Sequence, residues 1–82
     1  MYDYTIYPDS NRALFCKQCE RIEQKIPGLK KEKLLVTFDD TLIQVYVLPT
    51  GKITVKNDEL TGALYVLSNI DLKVRDALVN TK

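Results

Sequence analysis

Two alternating runs, Thr41-Leu-Ile-Gln-Val-Tyr-Val-Leu48 and Lys52-Ile-Thr-Val-Lys56, stand on either side of Pro49-Thr50-Gly51. A period of two with β-branched residues, broken by a turn signal, is the signature of an antiparallel hairpin. Pro49 presets φ for the second position of a turn, and Gly51 accepts positive φ as in a bulged hairpin loop, so these three residues are expected to form the connection. Leu34-Leu-Val-Thr-Phe38 reads as a further strand, joined by a tight turn at Asp39-Asp40. The result is a three-strand antiparallel meander. Alternation then places Ile43, Val45 and Val47 on the same face as Ile53 and Val55, apolar enough to pack under helices. Gln44 and Tyr46 point the other way, beside Lys52, Thr54 and Lys56, as on a half-solvated sheet face.

The flanking segments complete the fold class. Tyr4-Thr-Ile-Tyr7 is β-branched and aromatic and is stopped by Pro8, which predicts a short first strand. Asp9 and Ser10 offer N-caps to a helix over Arg12 to Ile26, whose buried stripe is Phe15, Cys19, Ile22 and Ile26. Pro27-Gly28 ends it. Asp58 and Glu59 open a last helix with a stripe of Leu60, Ala63, Leu64 and Leu67, continued by Ile70 and Val74 across a break near Ser68-Asn69 and Asp71. Residues after Leu78 are expected to fray. The expected architecture is α+β: strand, helix, three-strand antiparallel meander, helix, with both helices on one sheet face.

With 82 residues the chain holds one domain, residues 1–82, and has no room for a second core. Apolar residues make up 45% and charged residues 28%, the balance of a folded protein and not of a disordered tail. The formal net charge is +1, so no bulk electrostatic bias announces nucleic acid or membrane. There is no histidine, which removes the commonest general base and metal ligand. The N-terminus has no basic region followed by an apolar one, and no apolar run approaches the ~20 residues of a membrane span. Two cysteines are too few for a disulfide-stapled secreted scaffold, so a cytoplasmic location is expected.

Cys16-Lys-Gln-Cys19 has the spacing of a thiol redox motif, but reactivity requires a thiolate stabilised at a helix N-terminus. Cys16 lies about two turns inside the predicted helix, and Cys19 falls on its apolar stripe, where a core cysteine belongs. A metal site would need two further ligands, and none is assigned. Lys30, Lys31 and Lys33 form a local basic cluster, and residues 10–33 together carry +4. Such a patch could seat a phosphate backbone, or it could be a solvated face. Of the five tyrosines (2, 4, 7, 46 and 65), Tyr46 stands out. An exposed aromatic between lysines stacks bases or anchors a protein, unless it shields the sheet by cross-strand packing. No phosphate loop, nucleophile elbow or catalytic acid pair is present, so no enzyme and no cofactor is expected.

The stretch Leu42-Ile-Gln-Val-Tyr-Val-Leu-Pro-Thr-Gly-Lys-Ile-Thr-Val-Lys56, with Ile26-Pro-Gly-Leu29 before it, resembles one repeat of the TATA-binding-protein fold. It is similar in the same way to the N-terminal substrate-binding domain of type-3 ribonuclease H. The resemblance spans about residues 4–67. It implies nucleic acid bound on the open sheet face, here Gln44, Tyr46, Lys52, Thr54 and Lys56. The chain differs from those families in being a single repeat, in its near-neutral charge, and in carrying Asn57 where a glycine usually follows the last strand.

Three functions are compatible with these residues. The leading one is a small non-enzymatic interaction protein (a regulator, adaptor or inhibitor) that binds a protein partner through Gln44, Tyr46, Lys52, Thr54 and Lys56. The second is a nucleic-acid-binding module using that face plus Lys30, Lys31 and Lys33. The third is a thiol redox protein acting through Cys16 and Cys19. No membrane partner is expected, and a homodimer is compatible with each.

Overall fold

The computed structural model describes residues 1–79. In chain order it contains β1 (Tyr2–Tyr7), α1 (Arg12–Lys25), β2 (Lys30–Lys31), β3 (Leu35–Val36), β4 (Leu42–Leu48), β5 (Gly51–Asp58) and β6 (Ala63–Ser68). The strands form one antiparallel sheet in the order β1-β6-β5-β4-β2, with β3 also paired to β4. The fold is a small α+β domain with one helix and a six-strand sheet. The chain leaves β1 at one edge, crosses a face of the sheet as α1, and re-enters at the other edge as β2. Among the described residues, no helix is long and apolar enough to cross a membrane.

Helix α1 forms where expected, but its cap is Asn11 and neither Asp9 nor Ser10. The Asn11 side chain accepts from the Leu14 amide at 3.0 Å, and the Asn11 amide donates to Asn57 Oδ1 on β5 at 2.8 Å. The cap therefore also fixes the helix to the sheet. Phe15, Cys19, Ile22 and Ile26 are buried, as their spacing predicts. They pack on Tyr4, Ile6, Leu42, Tyr46, Ile53, Val55, Leu64 and Val66 in a single core. Leu72 and Ala77, from the segment after β6, close the same core and are fully buried.

The predicted last helix is absent: residues 63–68 are strand β6, placed between β5 and β1. Asp58 does the work of a helix cap, accepting from the amides of Leu60 and Thr61 at 2.9 and 3.1 Å. The turn it stabilises ends at Gly62, with φ +69, and reverses the chain into β6. Capping chemistry at an Asp serves a turn as well as a helix. Beyond it, Leu64, Val66 and Ser68 are buried while Ala63, Tyr65 and Leu67 are half-exposed, a period of two. Leu60 and Val74, expected in a core stripe, are exposed, and Ile70 is half-buried. The expectation that both helices share a face is replaced by one helix and the 70–79 segment on that face. Fraying beyond Leu78 concerns mainly residues 80–82, which lie outside the described residues.

The meander is longer than predicted and differs in one register. Leu48 pairs with Gly51, so the β4–β5 loop contains only Pro49 and Thr50. A loop of three would pair Val47 with Ile53; the loop of two pairs Tyr46 with Ile53 and Gln44 with Val55. One residue in the loop turns β4 over relative to β5. Gly51 is required at this corner, since a Cβ there would lie 2.6 Å from Asn69 Cβ. The β3–β4 turn also differs from a two-residue hairpin. Asp40 donates its amide to the Thr37 carbonyl and sits at φ 67, while the Thr37 amide donates to Thr41, a three-residue loop with Asp40 in the left-handed position.

Candidate interaction face

The register decides what each sheet face carries. Gln44 and Tyr46, expected on an open surface, lie under α1 at 3% and 0% exposure. The five-residue surface of Gln44, Tyr46, Lys52, Thr54 and Lys56 therefore does not exist as one face. Lys52, Thr54 and Lys56 do point away from the helix, as predicted. Their neighbours are Ile43, Val45 and Val47, residues assigned by alternation to the core. The reason is physical: β4 carries large apolar residues on both sides, Leu42 and Tyr46 on one and Ile43, Val45 and Val47 on the other, so its orientation follows from pairing with β5, whose apolar side is Ile53 and Val55. Tyr46 also buries more area than any alternative residue of β4.

Burial of Tyr46 is compatible with its hydroxyl because α1 supplies an acceptor. Tyr46 donates to Glu23 Oε2 at 2.6 Å, and Lys31 Nζ on β2 reaches the same oxygen at 3.2 Å. Burial and the Glu23 carboxylate push the Tyr46 phenol well above its ordinary range. The same hydrogen bond, aided by Lys31, holds the Glu23 carboxyl below its own. Gln44 is satisfied in a similar way, donating to the Glu32 carbonyl at 2.6 Å. Tyr46 and Lys31 tie the helix to the sheet through Glu23, while Gln44 ties β4 to the segment after β2.

The other face is built from cross-strand rows. One row runs Thr5, Tyr65, Lys56, Ile43 and Leu35 across β1, β6, β5, β4 and β3. A second runs Asp3, Leu67, Thr54 and Val45. Val47 lies between Lys52 and Lys30. Helix α1 and the 70–79 segment both pack into the core on the opposite side, so among the described residues no element covers these rows. Lys56 is held within the surface, 3.7 Å from Asp58 and 5.9 Å over the Tyr65 ring. The Tyr65 partner raises the lysine's affinity for its proton. The face is an apolar strip of Ile43, Val45, Val47, Tyr65 and Leu67 with lysines set into it. Sequence reasoning missed Tyr65 and Leu67 because their segment also fits helical spacing; the available signal was the short continuous apolar run Ala63 to Leu67 with Tyr65 and β-branched Val66 in it, following Gly62.

The basic cluster is divided. Lys30 pairs with Val47 at the open face, Lys31 turns to Glu23 on the helix side, and Lys33 lies beyond β2. On α1, Arg21 and Lys25 approach Asp76 at 2.8 and 3.8 Å, which offsets part of the local positive charge. A groove of about 280 Å³ follows β1, lined by Asp3 to Ile6 with Lys73, Leu78 and Val79.

Both cysteines are free, Cys16 exposed and Cys19 buried inside α1. Burial pushes the Cys19 thiol up to about 11, against an ordinary value of 9.0. The folded state keeps this proton while the unfolded chain loses it, so the contribution of Cys19 to stability declines as pH rises from about 9 to about 11. At neutral pH, alkylation of the native protein is expected to modify Cys16 and spare Cys19 until the chain is unfolded. Equal labelling rates for the two thiols would contradict this placement.

Comparison of the chain with protein-family models, with curated proteins and with solved structures finds no match in any of the three.

Proposed function

We propose that this domain is a non-enzymatic interaction module that docks a protein partner on its open sheet face. The observation that carries this reading is the uncovered strip of Ile43, Val45, Val47, Tyr65 and Leu67, opposite a face fully occupied by α1 and the 70–79 segment. Val47 is exposed and the other four are half-buried, and a contiguous, partly exposed apolar strip with a polar rim is characteristic of protein interfaces, with tyrosine a frequent anchor. The division of Lys30, Lys31 and Lys33 between sides, and the neutralisation of Lys56 by Asp58, weigh against a phosphate backbone as the ligand. A single repeat of the TATA-binding-protein-like arrangement remains part of the proposal, supported by the order strand, helix, antiparallel strands and by one open face. A cytoplasmic location belongs to the same reading, in keeping with two free thiols.

The test compares wild type with Val45→Lys, a change on the open face that leaves the core residues untouched. Tagged protein is used to capture partners from a cell extract with and without nuclease. The expected result is a nuclease-resistant protein partner captured by wild type and lost with Val45→Lys, while circular dichroism stays unchanged. Capture abolished by nuclease would replace this reading with the nucleic-acid one. A partner retained in full by Val45→Lys would remove the open face from consideration.

A further inference from the structure

The segment from Lys30 to Asp40 has a composition that the open-face reading does not use. Leu34, Leu35, Val36 and Phe38 are 43%, 53%, 56% and 103% exposed, at the sheet edge formed by β3. An apolar edge strand with free backbone groups invites another strand, and proteins ordinarily protect such an edge with charge or proline. Here the charges stand at the two ends: Lys30, Lys31 and Lys33 before the apolar residues, Asp39 and Asp40 after them. A segment positive at one end and negative at the other is complementary to itself when run antiparallel, as an interface with two-fold symmetry requires. We propose that a second copy of this chain pairs antiparallel about Val36, forming a homodimer by joining the two β3 edges with Leu34 and Phe38 packed at their flanks.

The backbone limits the register. Leu35 pairs with Ile43 and the Thr37 amide donates to Thr41, so odd-numbered residues direct their amides and carbonyls toward β4. By the alternation of an antiparallel ladder, the corresponding groups of Val36 face outward. Only registers that bring even-numbered residues of the two copies together satisfy them. The register centred on Val36 pairs the two β3 strands there and brings Lys33 and Leu34, just before β3, toward Asp39 and Phe38 in the partner's β3–β4 loop, each twice by symmetry. The Asp39 carboxylate accepts from Thr37 Oγ1 within that loop and has further lone pairs for Lys33. Lys33 suits this role because, among the described residues, it forms no ion pair. A register shifted to use Lys31 would compete with its bond to Glu23. The ladder itself ends at Thr37, since Phe38, Asp39 and Asp40 form the loop.

The mass of the full chain is measured by sedimentation equilibrium over a micromolar concentration series. Wild type is expected to approach twice its 9.4 kDa at the upper end, less so in high salt. Val36→Lys sets like charges directly opposite across the two-fold axis and is expected to leave a monomer whose melting temperature matches wild type at low concentration, where both are monomeric, since Val36 is largely exposed. Lys33→Asp and Asp39→Lys are each expected to weaken dimerisation several-fold. An equimolar mixture of the two variants recovers it, because the heterodimer restores both opposite-charge pairs. Circular dichroism of each variant distinguishes a lost interface from a lost fold. A monomer at every concentration would overturn the proposal, as would a Val36→Lys dimer or folded charge variants that weaken association without recovery on mixing.

Discussion

Replacing Tyr46 with alanine is expected to unfold most of the protein rather than to weaken a binding surface. Tyr46 is fully buried beneath α1, and truncating a buried aromatic costs about 3–5 kcal/mol, a large share of what a domain this small possesses. The truncation also leaves Glu23 without the hydroxyl that donates to it at 2.6 Å. Tyr46→Phe keeps the ring and removes only that bond, so a smaller loss of about 1–2 kcal/mol is expected. Acid titration separates the two contributions. Glu23 is held below its ordinary 4.5 first by the Tyr46 hydroxyl and then by Lys31, so its contribution is complete above that value and lost as pH falls through the depressed one. Tyr46→Phe should flatten part of this acid dependence in thermal melts. A Tyr46→Ala protein that melts like wild type would contradict the burial of this ring.

The second large effect is expected at Gln18, a fully buried polar residue on α1. Its Nε2 donates to the Ala77 carbonyl at 2.8 Å and its Oε1 accepts from the Val79 amide at 3.0 Å. One side chain thus satisfies two backbone groups of the segment that closes the core over β1. Gln18→Leu preserves volume but leaves both groups unpaired, at a cost of about 1–3 kcal/mol for each that stays buried. Release of the segment would let water satisfy them, so the expected outcome is loss of hydrogen-exchange protection at Ala77, whose amide is bonded to the Leu72 carbonyl, together with a lower melting temperature. Arg21→Ala removes an exposed ion pair with Asp76 and an exposed hydrogen bond to its carbonyl, and should change stability less. Unaltered protection at Ala77 in Gln18→Leu would show that the segment is held by other contacts.

Local chemistry made part of this fold legible. The stripe from Phe15 to Ile26 identified α1, and the alternation around Pro49-Thr50 identified the hairpin, because both signals extend over several turns or pairs. The face assignment of β4 was not legible, since Ile43, Val45 and Val47 are more apolar than the Gln44 and Tyr46 that take the core side. The decision rests on whether the loop has two residues or three, and Pro49-Thr50-Gly51 is compatible with both. The short apolar run from Ala63 to Leu67 suits a buried helix turn and a buried strand equally, and pairing of β6 on both edges resolves the ambiguity in favour of the strand. The candidate site inherits these two ambiguities. Lys52, Thr54 and Lys56 were placed correctly from β5 alone, whereas Tyr46 and Gln44 moved with β4 and Tyr65 and Leu67 appeared with β6.

The orientation of β4 is the premise of the open face, and it is read directly by methyl NMR with a soluble paramagnetic agent. The methyl groups of Ile43 and Val47 are expected to broaden strongly, while those of Ile53 and Val55 on the helix side stay sharp. The Tyr46 ring should show nuclear Overhauser contacts to α1. Sharp Ile43 and Val47 signals, together with a Tyr46 ring broadened by the agent, would turn β4 over and contradict the account.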